Sequence, residues 1–463
     1  MTPFDRSPLE KIMSFELSAR LLRALRSGPA LLAGLLMLLS FPALAQDEAV
    51  SIVEKGDVAW MLVATLLVVM MAVPGLALFY GGLVRAKNML SVLMQVLVVF
   101  SLIVVLWVIY GYSVAFGGAG LIIGGFDRLF LSGITVDSLA ATFTDGVALP
   151  ELLFVAFQAT FAGITCALIV GSLAERVKFT AALLFSVIWF SLCYLPIAHM
   201  VWGEGGYLLD KGALDFAGGT VVHINAGVAG LVGAWLLGKR LGYGREAMPP
   251  HNLPLTLVGA ALLWVGWFGF NGGSALAANG AAGMALTVTH IAAATASLVW
   301  MLIEWKKYGK PSLVGLVTGT IAGLATITPA SGFVGPIGAL IIGVAAGLVC
   351  FKMVQVVKTA WKLDDSLDVF AVHGVGGSLG TILVAFLCAP MFGGLGLPEG
   401  KTMMDALGVQ ALGLAATVAW SAIATFILVK ITAGLTNGIR VREDDELEGL
   451  DITNHGETAY RLD

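Results

Sequence analysis

The sequence predicts an all-α membrane protein with eleven transmembrane helices. Composition is the first indication, because 58% of the 463 residues are hydrophobic and 12% are charged, whereas about 25% of an ordinary soluble domain is charged. The mean hydropathy of +0.92 agrees with this. The third observation is a series of apolar windows of about 20 residues, the length that an α-helix needs to cross a bilayer.

Eleven such windows follow the N-terminal region. They lie at 57–80, 89–117, 150–173, 179–202, 217–238, 254–275, 280–303, 312–329, 333–355, 369–389 and 407–433. A transmembrane domain over residues 46–434 and a C-terminal tail over 435–463 are therefore expected. Because the number of spans is odd, the two ends of this domain are expected on opposite sides of the membrane.

The N-terminal region has the features of a bacterial signal peptide. Arg20, Arg23 and Arg26 precede an apolar run that ends in the small-x-small sequence Ala43-Leu44-Ala45, as at a cleavage site. Residues 1–45 are therefore expected to be a signal peptide, or an extra first span if they are not removed. The segment before the arginines is long, so Met13 is an alternative translation start.

Lysine and arginine concentrate in alternate loops, near residues 85, 176, 240, 307 and 358, whereas the other loops hold only Arg128, Lys211 and Lys401. The positive-inside rule then predicts a mature N-terminus outside and a cytoplasmic C-terminus, in the inner membrane of a bacterium.

The net charge of −4, without a basic tract, argues against nucleic acid as a partner. The four cysteines lack paired spacing, so neither a disulfide framework nor a metal or cofactor site is expected.

Two pairs of segments indicate an internal repeat. "FYGGLVRAKN" (79–88) in the first span resembles "FNGGSALAAN" (270–279) in the sixth. The fifth and tenth spans share an aspartate, a histidine eight residues later and a glycine four residues after that. Because five spans separate the members of each pair, the halves must have opposite orientation. The sequence thus predicts two inverted five-helix repeats plus a final helix.

The two repeated histidines, His223 and His373, are the main functional candidates. Each follows an aspartate, Asp215 or Asp365, by about 12 Å of helix, so each approaches the middle of a core about 30 Å thick from its own side. A neutral imidazole carries one donor and one acceptor, so two facing rings would satisfy each other along an otherwise apolar path. Ionisable residues within a membrane are functional candidates by default.

Five motifs give the chain a family resemblance. "FQATFAGIT" (157–165), "AHMVWG" (198–203), "DFAGGTVVHINAG" (215–227), "GWFGFNGGS" (266–274) and "DVFAVHGVGG" (368–377) occur in that order. The sequence resembles the ammonium transporter (Amt) family, in the bacterial Amt branch of the Amt/Mep/Rh superfamily. The resemblance implies a homotrimer of eleven-helix protomers, each with its own pore for ammonium or methylammonium.

The resemblance also implies roles for individual residues. It implies an outer ammonium site at Trp202, Ser274 and Phe157, a phenyl gate at Phe161 and Phe270, twin pore histidines at His223 and His373, and a supporting network of Asp215, Thr328 and Trp267. In this network Asp215 is expected to cap backbone N–H groups instead of binding the cation. The tail motif "DITNHGETAY", with His455, implies docking on the cytoplasmic face and reception of a PII signal protein.

Three other functions fit parts of the pattern. An ammonium sensor acting through a cytoplasmic partner and an Rh-type gas channel both stay open. An intramembrane enzyme would use His223, His373 and Asp215 as metal ligands or as acid–base groups, but about 12 Å of helix separates the aspartate from either histidine. The expected function is therefore transport without catalysis. His199, expected near the membrane surface, His251 and His290 are expected to be packing or interface residues.

Overall fold

The computed structural model describes residues 52–460. The expected signal peptide, residues 1–45, lies outside this range. Eleven helices within the described range are long and apolar enough to cross a membrane. In chain order they are α1 (Lys55–Leu83), α2 (Ala86–Phe116), α3 (Glu151–Leu173), α4 (Phe179–Asp210), α5 (Gly219–Leu237), α6 (Leu253–Gly273), α7 (Gly280–Tyr308), α8 (Leu313–Ala330), α9 (Pro336–Ala360), α10 (Phe370–Leu387) and α11 (Met403–Leu435).

The predicted spans are confirmed, and the helices differ from them mainly at their ends. The hydropathy window of α7 ends at 303, whereas the helix continues to Tyr308. Glu304, Lys306 and Lys307 lower the hydropathy there without interrupting the helical backbone, which ends at Gly309 with φ +77°. Glycine adopts this left-handed conformation without steric cost, which makes it a common helix terminator.

The loop between α2 and α3 contains the only β-sheet of the described residues. β1 (Leu139–Ala141) pairs antiparallel with β2 (Ala148–Pro150). Glu151 follows β2 directly and accepts a hydrogen bond of 2.7 Å from the Tyr112 hydroxyl. This hydrogen bond joins the start of α3 to the end of α2.

The two helices that carry the predicted histidines lie next to each other in the bundle. α5 packs against α3, α10 and α11, and α10 packs against α5, α8 and α11. Around them, α1 packs on α6, α2 on α3, and α7 on α8 and α9. α5 and α10 are therefore surrounded by other helices.

α5 and α10 begin in the same way. Each starts with a π-helical turn that contains its histidine, Gly219–Ile224 in α5 and Phe370–Gly374 in α10. An aspartate before each turn binds backbone N–H groups of its own helix. Asp215 does so at α5, and Asp365 accepts the N–H of Phe370 at 2.8 Å. This shared arrangement agrees with the predicted inverted repeat.

Glycines allow α5 and α10 to touch backbone to backbone. A Cβ atom at Gly227 would lie 2.3 Å from the backbone nitrogen of Gly374, and one at Gly377 would lie 3.0 Å from the carbonyl oxygen of Gly219. Small residues permit this close approach in membrane helices. The later residue of α5 contacts the earlier residue of α10, so the two helices run antiparallel at the contact, as an inverted repeat requires.

The tail docks on one end of the bundle, which we call the tail face. It contains the short helix α12 (Glu443–Glu448) and the turn Asp451–His455. The Asp451 carboxylate accepts the N–H groups of Leu90 and Ser91 at 3.0 and 2.8 Å. The tail therefore caps the first turns of α2.

Charged side chains beneath the tail pair with one another. Glu175 binds Arg85 at 2.7 Å and Arg240 at 3.2 Å, and Arg240 also binds Asp364 at 2.8 Å. Burial acts to raise the pKa of Glu175, but the positive charges of Arg240 and Arg85 outweigh it and hold that pKa below its ordinary value. The buried charges of this layer are therefore compensated.

Candidate functional site

The two predicted histidines meet inside the bundle. Nδ1 of His223 lies 3.2 Å from Nδ1 of His373. The ring centroids are 5.2 Å apart, and the ring planes are inclined by 26°. Both residues are buried. The fold thus joins two side chains that are 150 residues apart in sequence.

A hydrogen bond between the two Nδ1 atoms requires the rings to differ in tautomer. One Nδ1 must donate and the other must accept. A neutral ring that carries Nδ1–H has an unprotonated Nε2, and a neutral ring with an unprotonated Nδ1 carries Nε2–H. The pair therefore presents one acceptor and one donor at its two Nε2 atoms. Moving the shared proton between the Nδ1 atoms, with the matching change at each Nε2, reverses that order.

A stack of phenyl rings lies on the side of His223 away from His373. The Phe161 and Phe270 rings are 4.1 Å apart between centroids and inclined by 22°. The Phe270 ring lies 6.1 Å from the ring of His223. Both phenylalanines are buried, so the stack closes the path to the histidines on this side.

The residues expected at an outer site surround this stack. The Trp202 ring lies 5.9 Å from Phe161 in an edge-on arrangement, and the Phe157 ring lies 4.9 Å from Phe161. The Ser274 hydroxyl donates to the carbonyl oxygen of Phe270 at 2.8 Å. Because that bond uses its proton, the hydroxyl oxygen presents only lone pairs to any further partner.

Asp215 binds the first turn of α5. Its two carboxylate oxygens accept the backbone N–H groups of Gly218, Gly219, Thr220 and Val221 at 2.9, 2.6, 2.8 and 3.2 Å. Burial raises the pKa of Asp215, and these hydrogen bonds oppose the increase. Its backbone carbonyl accepts the indole N–H of Trp202 at 2.9 Å. These are the contacts of a helix cap that also orients the tryptophan.

Thr328 binds one member of the expected network, Trp267, and not the other, Asp215. Its hydroxyl accepts the indole N–H of Trp267 at 2.9 Å and donates to a carbonyl of its own helix at 2.7 Å. Within the described residues it makes no hydrogen bond to Asp215, because its one proton is already used. The Trp267 ring lies 5.4 Å from the ring of His223 with an angle of 27°. Thr328 therefore fixes the indole beside the histidines.

Two adjacent cavities continue the path past the histidines. The first has a volume of about 10 Å³ and is lined by both histidines, Trp267, Phe270 and aliphatic side chains. The second, which we call the vestibule, has a volume of about 310 Å³ and extends from His373 to loop residues at the tail face, including Tyr243. The path is thus narrow and apolar at the histidines and wider beyond them.

The vestibule contains an ion pair that the sequence did not reveal. Lys358 Nζ lies 2.6 Å from Asp368 Oδ2. Burial raises the pKa of Asp368, and the Lys358 charge opposes the increase. Burial also raises the pKa of Asp365 to about 6, to which the negative charge of Asp368 contributes. The three aspartates of "DDSLD" (364–368), shortly before a membrane histidine, were the available signal.

The remaining histidines do not join the pair. His199 is completely buried, with its Nδ1 2.8 Å from the carbonyl oxygen of Ala115 and its Nε2 against that of Gly120. The ring therefore ties α4 to the end of α2 and the loop that follows it, as expected of a packing residue. His251 lies in the loop before α6, His290 on an exposed face of α7 and His455 in the tail.

The contacts of the three residues considered as metal ligands leave no shared metal site. His223 and His373 bind each other, and Asp215 is occupied by backbone N–H groups. Over residues 52–460, no group of three His, Cys, Asp or Glu side chains is placed to hold a metal ion.

The bundle and its path define a class of protein. Within residues 52–460, eleven spans enclose an apolar, aromatic-lined path whose only ionisable side chains at its narrowest part are two facing imidazoles. This is the architecture of a membrane transport protein for a small solute.

Comparison with known proteins identifies the family. The model of the Ammonium Transporter Family matches residues 59–460, and the chain belongs to this family. An ammonium transporter of Aquifex aeolicus is 46% identical over 415 residues, which cover 88% of this chain and 94% of that protein.

Two solved structures share the fold. Mep2 of Saccharomyces cerevisiae is 34% identical, with a TM-score of 0.75, and the match covers 84% of this chain and 91% of Mep2. A structure described as a sensor Amt protein is 27% identical, with a TM-score of 0.79, and the match covers 87% of this chain and 98% of that one. The expected family is therefore confirmed, and its curated relatives are named as ammonium transporters, not enzymes.

Proposed function

We propose that the protein binds the ammonium ion at Trp202, Ser274 and Phe157 and passes it through the membrane as ammonia. The observation that carries the proposal is the contact between His223 and His373, two imidazoles that bind each other in a path otherwise lined by apolar and aromatic side chains. Such a path suits a small uncharged molecule that can exchange hydrogen bonds with imidazole nitrogens.

The outer residues suit a cation. A ring face attracts a desolvated cation by about 2 kcal/mol or more, and the Trp202 ring is oriented by its bond to the Asp215 carbonyl. The Ser274 oxygen, whose proton is used, can accept an N–H of ammonium. Directional N–H bonds distinguish ammonium from an alkali ion of similar size and charge.

The inner path does not suit a cation. The idealised cost of moving an ammonium-sized ion from water into a medium of low dielectric is on the order of 20 kcal/mol. This exceeds the attraction of one ring by about tenfold. Potassium filters meet this cost with rings of carbonyl oxygens, which do not line the narrow cavity at the histidines. Ammonium can avoid the cost by losing a proton, and potassium cannot.

The proton has two routes in this proposal. It returns to the solution on the side of Trp202, or it crosses separately along the hydrogen bond between the two Nδ1 atoms, since imidazoles are capable proton shuttles. The first route gives uncharged transport, and the second gives one charge per ammonium. Currents on solid-supported membranes after an ammonium jump distinguish them, because only the second produces a sustained current.

Uptake of labelled methylammonium into proteoliposomes tests the proposal. We expect Trp202→Leu to raise the concentration needed for half-maximal uptake. Trp305→Leu is the matched control, because Trp305 is 55% exposed on α7 and should leave uptake unchanged. An unchanged concentration dependence in Trp202→Leu would contradict a recruiting role for the ring.

Ammonium sensing is the second candidate, because a structure described as a sensor Amt protein shares this fold. Saturable methylammonium binding by purified protein, without flux into proteoliposomes, would favour it. The pairing of Trp202 with Ser274 favours the Amt branch over an Rh-type gas channel, since a built cation site suits uptake at low ammonium concentration.

We further propose a homotrimer in a bacterial inner membrane with the tail face in the cytoplasm. The clustering of lysine and arginine in the loops of that face supports this orientation, and the docked tail offers a surface for a PII protein. Labelling of single cysteines introduced on either face of the membrane in intact cells would test the orientation.

A further inference from the structure

The vestibule contains a carboxylate that the proposed pathway does not use. Asp368 lines this 310 Å³ cavity together with His373. Its Oδ2 binds Lys358, whereas its Oδ1 is buried and has no hydrogen-bond partner. Burying a carboxylate oxygen without a hydrogen-bond partner lowers the stability of the fold, so its presence here calls for a physical explanation.

Lys358 shows what this carboxylate can bind. The side chain ends in an ammonium group, and its Nζ lies 2.6 Å from Asp368 Oδ2. The lysine side chain is 34% exposed and the aspartate side chain 19% exposed. Lys358 can therefore exchange its partner for water more readily than Asp368 can. The lysine occupies the position that a free ammonium ion would take.

Arg240 also lines the vestibule and its positive charge acts on Asp368, but its guanidinium binds Asp364 and Glu175. The neighbouring Asp364 is bound by Arg240 at 2.8 Å, and Asp365 is bound by the Ser172 hydroxyl at 2.7 Å. Tyr80 and Tyr243 also line the cavity. Of the three aspartates in this loop, Asp368 is the one whose charge partner is a partly exposed flexible lysine.

The backbone at Asp368 is also unusual. Its φ angle is +62°, in the left-handed region that is uncommon outside glycine, although aspartate adopts it more readily than most residues. This conformation comes just before the start of α10, and the side chain then faces the vestibule. Strained backbone of this kind concentrates at functional sites.

We propose that Asp368 is a second cation site, which binds ammonium or a small alkylammonium ion at the tail-face end of the path in competition with the Lys358 side chain. This inference rests on the proposed function for the identity of the ion. Ions that have reached the tail face would be held at this site before release, and Lys358 would expel them.

Equilibrium binding of labelled methylammonium to the purified full-length protein tests the site. Lys358→Met removes the competitor, so we expect methylammonium to bind about tenfold more tightly or better, because charge-assisted hydrogen bonds are among the strong ones. The double variant Lys358→Met with Asp368→Asn should lose the whole gain. It contains no unpaired charge at this position, so it should also fold.

Matched variants separate this site from the outer one. The gain in Lys358→Met should persist when Trp202→Leu is added, because Trp202 lies on the other side of the histidines. Lys362→Met, which changes an exposed lysine in the loop that follows α9, should have no effect. If Lys358→Met does not fold, Lys358→Gln removes the charge but keeps a donor, and the same gain is expected.

The Asp368 site and the transport activity can be tested separately. No gain in either Lys358 variant, or a gain that survives Asp368→Asn, would overturn the Asp368 site even if methylammonium flux were normal. A gain that depends on Asp368 would support the site even if proteoliposomes showed no flux, and the absence of flux would then count against the transport mechanism alone.

Discussion

Asp215→Asn tests whether this carboxylate supports the outer site or binds the cation itself. The wild-type carboxylate accepts four backbone N–H groups, two at each oxygen. An asparagine has one acceptor oxygen, and its NH₂ group can only donate. Two of the four N–H groups would therefore face a donor in a buried position.

The expected cost follows from those two groups. A buried donor left without a partner costs about 1–3 kcal/mol, so the substitution should lower the free energy of unfolding by about 2–6 kcal/mol. The Asp215 carbonyl also orients the Trp202 indole. Methylammonium affinity should therefore fall together with stability.

Unfolding by titration with SDS, followed by circular dichroism, measures the stability. Asp405→Asn is the matched control, because Asp405 caps the start of α11 in a capping box that is exposed to solvent. Water can replace its lost bonds, so its loss of stability should be much smaller than that of Asp215→Asn.

A folded Asp215→Asn protein with wild-type unfolding energy and no methylammonium binding would show that the carboxylate acts as a direct ligand. The helix-capping role would then be wrong.

Three further substitutions test other parts of the structure. His223→Asp places a carboxylate in the path, so we expect potassium currents that the wild type lacks. Normal ammonium flux with intact selectivity in this variant would contradict the role of the two histidines in excluding ions. Gly227→Ala puts a Cβ 2.3 Å from the backbone of α10 and should lower the free energy of unfolding by about 1–3 kcal/mol or more. Gly408→Ala is its control, because Gly408 faces open space on α11, and it should be neutral or slightly stabilising. Asp365 has a pKa of about 6 in the folded protein against about 3.9 in the unfolded chain. The free energy of unfolding should therefore fall by roughly 2–3 kcal/mol as the pH rises from about 4 to about 6. Asp365→Asn should remove this pH dependence; if the dependence persists, another group causes it.

The spans could be predicted from the sequence because hydropathy alone specifies them. The predicted helix ends were less accurate where a helix continues through charged residues, as it does from Glu304 to Lys307 in α7. The histidine contact was also predictable, since a shared offset from Asp215 and Asp365 gives two helices of opposite direction the same depth. In these cases a local pattern and one geometric rule are sufficient.

Contacts between distant segments could not be predicted in this way. Thr328 binds Trp267 because α8 and α6 pack together, which no spacing in the sequence reveals. The pairing of Glu175 with Arg240 and of Asp368 with Lys358 likewise depends on which loops and helix ends meet at the tail face. A charged loop residue has many equivalent partners until the fold selects one.

The capping of α2 by the tail has a consequence for how the chain is made. Asp451 reaches back 360 residues to the N–H groups at the start of α2. At a synthesis rate of about 5–20 residues per second, roughly 20 to 70 s separate the emergence of these two segments from the ribosome. During that interval the N–H groups of Leu90 and Ser91 lack the Asp451 carboxylate. The start of α2 is therefore less stable in a nascent chain until the tail has been translated.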